Sequence, residues 1–86
     1  AGNELLVTPN PVKDQLQLVI TAAAADIANI SVIDMSGRVL MQVKERIGAG
    51  NTTVVYPQAA HFPPGVYYVR LNIGEAVLTR RFNVIK

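Results

Sequence analysis

The chain has no cysteine, no tryptophan and one histidine, and only 16% of its 86 residues are charged. Without cysteine no disulfide can staple a small fold and no thiolate can hold a metal. That absence fits a reducing cytosol, or an exported protein that needs no bridge. The lone histidine, His61, lies in a proline-rich connection with no acid or nucleophile beside it. A catalytic or metal centre needs several convergent groups. Asp14, Asp26, Asp34 and Glu45 are scattered over turns and strand ends, and a paired-carboxylate mechanism needs a cleft that so small a chain has little room to build. We therefore expect no enzyme, no cofactor and no metal. No apolar run is long enough to span a bilayer as a helix. Ala1 is not followed by a basic segment and a long apolar one, so no signal peptide is expected, and the chain reads as a module cut from something larger.

Charge of one sign is also scarce. Eight Lys/Arg against six Asp/Glu leave a net charge of +2. The pI near 9.3 rests on that small surplus. The only tight basic cluster is Arg80-Arg81, with Lys86 nearby, which falls short of the dense basic stripe of a nucleic-acid module. No nucleic-acid partner is expected.

What the chain does have is apolar content: 50% of its residues are hydrophobic. A domain of this length buries only about 60–65% of its unfolded surface, so the core must be well filled. The pattern reads as strands and turns throughout, within one domain over residues 1–86. Glu4 to Thr8 is a short apolar strand stopped by Pro9-Asn10-Pro11. Proline fixes φ and keeps the residue before it extended, so this strand should be an edge or a sheet crossover. Gln15 to Thr21 alternates, with Leu16, Leu18 and Ile20 on one face. Ala22 to Ala25 is too short for an independent helix and reads as a connection with at most one turn. Asn29 to Met35 is the next strand, with Ile30 and Val32 inward. Ser36-Gly37 is a turn, with Gly37 at positive φ. Val39 to Ile47 returns, with Val39, Met41 and Val43 alternating.

A second loop at Gly48 to Asn51 leads to the strand Thr52 to Tyr56, rich in β-branched residues. Pro57 to Gly65 is a longer crossing connection. Val66 to Ile73 is the strongest strand, with Tyr67, Val69, Leu71 and Ile73 on one face and Tyr68 on the other. Ala76 to Ile85 closes the chain with Leu78, Phe82 and Val84 inward. Arg80 shares their register, so either a bulge shifts the face there or Arg80 sits at the sheet margin. Seven short strands at this spacing indicate an all-β fold: an immunoglobulin-like antiparallel β-sandwich lacking the antibody Cys pair and Trp.

Four separated pieces of this sequence then line up with a known family. They are Thr8-Pro9-Asn10-Pro11-Val12-Lys13-Asp14, Val32-Ile33-Asp34-Met35-Ser36-Gly37-Arg38-Val39-Leu40, Phe62-Pro63-Pro64-Gly65-Val66-Tyr67-Tyr68-Val69, and Arg80-Arg81-Phe82-Asn83-Val84-Ile85-Lys86. In order and spacing the chain resembles the type A C-terminal sorting domain of the type IX (Por) secretion system of Bacteroidota, over about residues 6 to 86. Arg80-Arg81 stand where the family more often has lysine, which keeps the charge.

The resemblance implies a transport signal carried behind an N-terminal cargo domain in the same chain. The cargo would pass through the periplasm, then to the outer-membrane surface or the medium. An outer-membrane translocon would recognise the signal and a sortase-like protease would commonly remove it. Its implied recognition residues here are Pro9, Asn10, Pro11, Asp34, Gly37, Arg38, Gly65, Tyr67, Arg80, Arg81 and Lys86. For Asp34 and Arg38 the plainer role is to shape the hairpin; for Gly65 and Tyr67 it is to make the fold. Edge strands can accept a partner by strand addition, and the short first strand suggests a homodimer by edge pairing or exchange. The competing readings are a passive immunoglobulin-like spacer and an adhesive or sugar-binding module using Tyr68.

Overall fold

The computed structural model describes residues 3–8 and 11–85. Pro9, Asn10 and Lys86, all named above as recognition residues, lie outside the described residues. Seven strands form in chain order: β1 (Glu4–Thr8), β2 (Leu16–Ala22), β3 (Asp26–Asp34), β4 (Val39–Ile47), β5 (Gly50–Tyr56), β6 (Gly65–Ile73) and β7 (Ala76–Val84). They make two antiparallel sheets, one in the order β1-β2-β5 and one in the order β4-β3-β6-β7. A 3-10 helix at Pro57–His61 carries the chain from β5 in the first sheet to β6 in the second.

Period-two alternation drives the sandwich. Leu16, Leu18 and Ile20 of β2 are fully buried against Ile30 and Val32 of β3 and Val69 and Leu71 of β6. Because successive side chains point to opposite faces, each strand gives one face to this core and the other to solvent. Tyr67 sits between Phe62 and Phe82, with ring centroids 5.4 and 5.7 Å away. This stack closes the core at one end. The molecule is elongated, with extents of 36 × 22 × 19 Å.

β1 pairs only with β2, as an edge strand. The chain then crosses to the other sheet, where Val12 forms a parallel bridge to Val84 of β7. The expected edge strand and sheet crossover are thus both present, with Pro11 directly before the bridge. Strand boundaries shift modestly from the expected ones: β3 begins at Asp26 and β5 at Gly50. No helical turn forms at Ala22 to Ala25; Ala22 ends β2 and a bend follows.

Val39 is the one inward residue that the alternation misplaces. The pairing of β3 with β4 slips between Val32↔Met41 and Ile33↔Val39, leaving Leu40 as the extra residue. That bulge reverses the parity of β4 at its start. Val39 is 52% exposed while Leu40 packs on the core. Beyond the bulge Met41 and Val43 face inward as expected.

Arg80 has the opposite explanation. The β6–β7 ladder runs without a slip from Gly65↔Val84 to Ile73↔Ala76. No bulge re-aims Arg80, which lies at the margin between the sheets and donates from Nε to the Leu5 carbonyl at 3.2 Å. The guanidinium thus bonds a backbone carbonyl of an edge strand across the gap between the sheets.

Phe82 is 1% exposed and ends the aromatic stack. Phe82→Ala should cost about 3–5 kcal/mol of stability. Urea unfolding should show the midpoint fall with little change in slope.

Candidate functional site

The antiparallel ladders place the start of β4, the end of β3, the start of β6 and the end of β7 at one pole. Asp34 pairs with Tyr67, and Gly65 pairs with Val84. Val12 reaches the same pole: its amide donates to the Asn83 carbonyl at 2.8 Å and its carbonyl accepts from the Ile85 amide at 2.9 Å. The four sequence pieces, far apart along the chain, therefore meet. Asn3, the first described residue, lies at the opposite pole beside Ala23, where its side chain accepts the Ala23 amide at 3.2 Å.

The β3–β4 hairpin is built around one carboxylate. Asp34 Oδ1 accepts the Ser36 hydroxyl at 2.6 Å, the Ser36 amide at 2.9 Å and the Arg38 amide at 3.0 Å. Asp34 Oδ2 accepts Arg38 Nε at 3.2 Å. The Gly37 amide closes the turn on the Asp34 carbonyl, with Gly37 at φ 90°. That left-handed conformation excludes most side chains at Gly37. The Ser36 hydroxyl is the largest influence holding the Asp34 carboxyl below its ordinary value; the backbone donors and the Arg38 charge add to it, against opposing desolvation. The Arg38 side chain is 75% exposed, so its guanidinium faces solvent while its backbone serves the turn.

Beside this hairpin, Asp34, Met35, Ser36, Pro64, Gly65, Val66 and Tyr67 line a shallow open depression of about 250 Å³. Met35 is 73% exposed on its rim. Tyr67 is buried and its hydroxyl donates to the Pro63 carbonyl. Burial, with a smaller push from Asp34, raises the pKa of that hydroxyl, so it stays neutral. Gly65 has φ 156°, and a Cβ there would meet the Tyr67 ring at 4.0 Å.

Of the expected recognition residues that are described, Pro11, Gly37, Arg38, Gly65, Arg80 and Arg81 are exposed, Tyr67 is buried, and Asp34 is half-buried with its oxygens taken up by the turn. Arg80 is turned toward Leu5, whereas Arg81 projects from the outer face of the second sheet beside Tyr68. Sequence reasoning missed three contributors. Ser36 was legible as the third residue of an Asp-x-Ser turn, where an acid commonly caps the backbone two residues on. Met35 and Val12 carried no comparable signal.

Among the described residues no cluster of His, Cys, Asp or Glu could hold a metal ion. No helix of the described residues is long and apolar enough to cross a membrane.

With that geometry in place, comparison with known families is decisive: residues 6–86 match the model of the secretion system C-terminal sorting domain. The chain belongs to that family. It is a C-terminal domain of type IX secretion, carried by proteins exported through the outer membrane to the cell surface or the medium. No curated protein matches the chain.

Solved structures share the fold. PorZ, a bacterial surface component of the type IX secretion system of Porphyromonas gingivalis, is 24% identical with a TM-score of 0.66, over 95% of this chain and 11% of that one. Dimeric latent PorU from Porphyromonas gingivalis is 12% identical with a TM-score of 0.72, over 96% of this chain and 9% of that one. A β-glucosidase from Listeria innocua is 18% identical with a TM-score of 0.52, over 95% of this chain and 16% of that one. The sorting domain thus spans a small part of each protein it resembles.

The lowered Asp34 pKa has a pH consequence of fixed sign. Its hairpin stabilisation is fully present above the ordinary carboxylate pKa and is lost as pH falls through the folded value. A carbon-detected NMR titration should show Asp34 protonating at lower pH than in an unfolded peptide of the same sequence. Ser36→Ala should move that midpoint up.

Proposed function

We propose that the translocon of the type IX system reads the pole where the four motifs meet, and that the cargo is attached at the opposite pole, on the Asn3 side. The observation that carries this reading is the convergence of Val12, the Asp34–Arg38 hairpin, Gly65 and the end of β7 at one end of a 36 Å molecule. A signal carried behind a folded cargo is most accessible at the end away from it. The depression at this pole is shallow and open, which suits a protein surface better than a small substrate. Arg38, Met35, Gly65 and Pro11 are among the exposed groups there, and Asp34 fixes the turn that carries Met35 and Arg38.

In this reading residues 1–86 act as one sorting unit without catalysis of their own. The cargo passes through the periplasm before the translocon engages it, and a sortase-like protease then removes the signal.

The test is export of a periplasm-directed fluorescent reporter fused ahead of residues 1–86, in a host with an active type IX system. The intact fusion should reach the surface or the medium. Loss of Asn83 to Lys86 should abolish export, but it also removes both backbone bonds to Val12. Arg38→Ala keeps the backbone of the turn, and should lower export about tenfold with unchanged thermal stability. A folded intact fusion that stays in the periplasm overturns the reading in favour of a spacer or adhesive module.

Self-association is assigned to β1. It pairs with one strand only and is joined to the rest by the short Thr8-to-Pro11 segment, which suits exchange between copies. Sedimentation equilibrium over rising concentration should show a dimer; a monomer throughout excludes the exchange.

A further inference from the structure

The charges of this chain are distributed unequally over its two broad faces. On the second sheet the buried positions Ala28, Ile30, Val32, Tyr67, Val69, Leu71 and Phe82 fix which side chains point outward. The outward set includes Lys44 and Arg46 on β4, Arg70 on β6 and Arg81 on β7. None of the six Asp/Glu residues shares that face. Asp26, Asp34 and Glu45 have the inward parity, and Glu45 is bound by the Tyr56 hydroxyl at 2.8 Å. Glu75 lies in the β6–β7 turn, and Glu4 and Asp14 lie outside this sheet. Among the described residues the one ion pair is Arg38 with Asp34. The four outward cations therefore have no acidic partner.

The register sets their layout. Arg46 aligns with Ile27, Lys44 with Asn29, Arg70 with Ser31, and Arg81 with Tyr68, which faces Ile33. Each step down this series moves one outward position along β3, and the carrying strand changes from β4 to β6 to β7. The cations thus form a diagonal band from one corner of the sheet to the end of β7. With strands about 4.8 Å apart and same-face residues about 6.8 Å apart, the band is about 25 Å long. Asn29, Ser31, Gln42, Asn72 and Thr79 fill the space beside it with amides and hydroxyls.

We propose that this face docks an acidic protein surface, with Lys44, Arg46, Arg70 and Arg81 as the cations that meet its carboxylates. The proposal deepens the recognition reading above, and rests on it for the receptor's presence: it gives the receptor an acidic surface extending from the pole along the sheet. Charge complementarity selects the partner class. Three of the four cations are arginines, whose planar fork matches a carboxylate in two-point contact. The interspersed amides and hydroxyls suit the polar rim of a protein interface. A nucleic-acid strand would need stacking platforms, and Tyr68 is the only aromatic on the face. A membrane surface would need projecting apolar anchors within the band, whereas the exposed apolar residues of this face, Ile27, Val39 and Val77, stand beside it.

The test maps binding on the full 86-residue chain by amide NMR, using poly-L-glutamate as the acidic probe. Heparin and phosphatidylglycerol vesicles serve as the polysaccharide and membrane comparisons. Perturbations by polyglutamate should centre on Asn29, Gln42, Lys44, Arg46, Tyr68, Arg70 and Arg81, and should fade with added salt. The triple variant Lys44→Gln, Arg46→Gln and Arg70→Gln should bind about tenfold more weakly. Leu6→Glu, Gln17→Glu and Thr53→Glu change the net charge equally on the other sheet and should leave the mapped patch in place.

Perturbations spread over the other sheet, or tighter binding of heparin or vesicles at matched charge, overturn the proposal. In the export assay the Gln variant should remain in the periplasm while its thermal stability matches the parent; export at the parent level also overturns it. An intact fusion that fails to export refutes the recognition reading itself, and the NMR map then decides the surface alone.

Discussion

The two backbone hydrogen bonds of Val12 are the constraint on which the arrangement of this molecule depends. β1 belongs to one sheet and β7 to the other, and Val12, between β1 and β2, bridges in parallel to Val84 of β7. Its side chain is fully buried, so the clasp is driven by apolar burial as well as by the bonds to Asn83 and Ile85. Sealed this way, the edge of β7 has its last residues paired and its middle approached by Arg80 reaching to Leu5. The edges left more open are β4 and β5, joined through Gly48-Ala49 and tied by Tyr56 to Glu45. Burial, then the bond to Glu45, pushes the Tyr56 hydroxyl pKa upward and keeps it a donor.

The same clasp explains why residues so far apart in sequence meet at one pole. A sandwich strand must enter or leave at one of two ends, and antiparallel pairing alternates them. Asp34, Gly65 and Val84 share an end because β3, β6 and β7 are consecutive neighbours in one sheet. β1 belongs to the other sheet, and the bridge of Val12 to Val84 is what brings the segment after it to this end. At that pole the chemistry divides by exposure. Asp34 and Tyr67 spend their polar atoms on bonds within the fold, while the Arg38 guanidinium and the apolar Met35 side chain face solvent.

Most of the fold was legible from alternation, because the core-facing sets of β2, β3 and β6 are uninterrupted. Where alternation alone failed, the cause was local. The bulge at Leu40 adds one residue to one strand, and nothing in Val39-Leu40-Met41 marks which of them is extra. Arg80 left two readings open because parity says where a side chain starts, not where a long one ends. The Nε bond to Leu5 resolves it through a contact 75 residues away in sequence. The hairpin was readable from Asp34 and Gly37, but Val12 was not: a lone valine between Pro11 and Lys13 has no periodicity to place it.

The cationic band was hidden for the same reason. Lys44, Arg46, Arg70 and Arg81 are separated in sequence by acids and apolar residues, and the small net charge suggests no basic surface at all. A strand sends neighbouring residues to opposite faces, so Glu45, which sits between Lys44 and Arg46, leaves their face entirely and binds Tyr56. Pleating thus separates charges that the sequence mixes. A near-neutral β-sandwich can present one strongly biased face at no cost to its overall charge, and that bias appears only when the register is known.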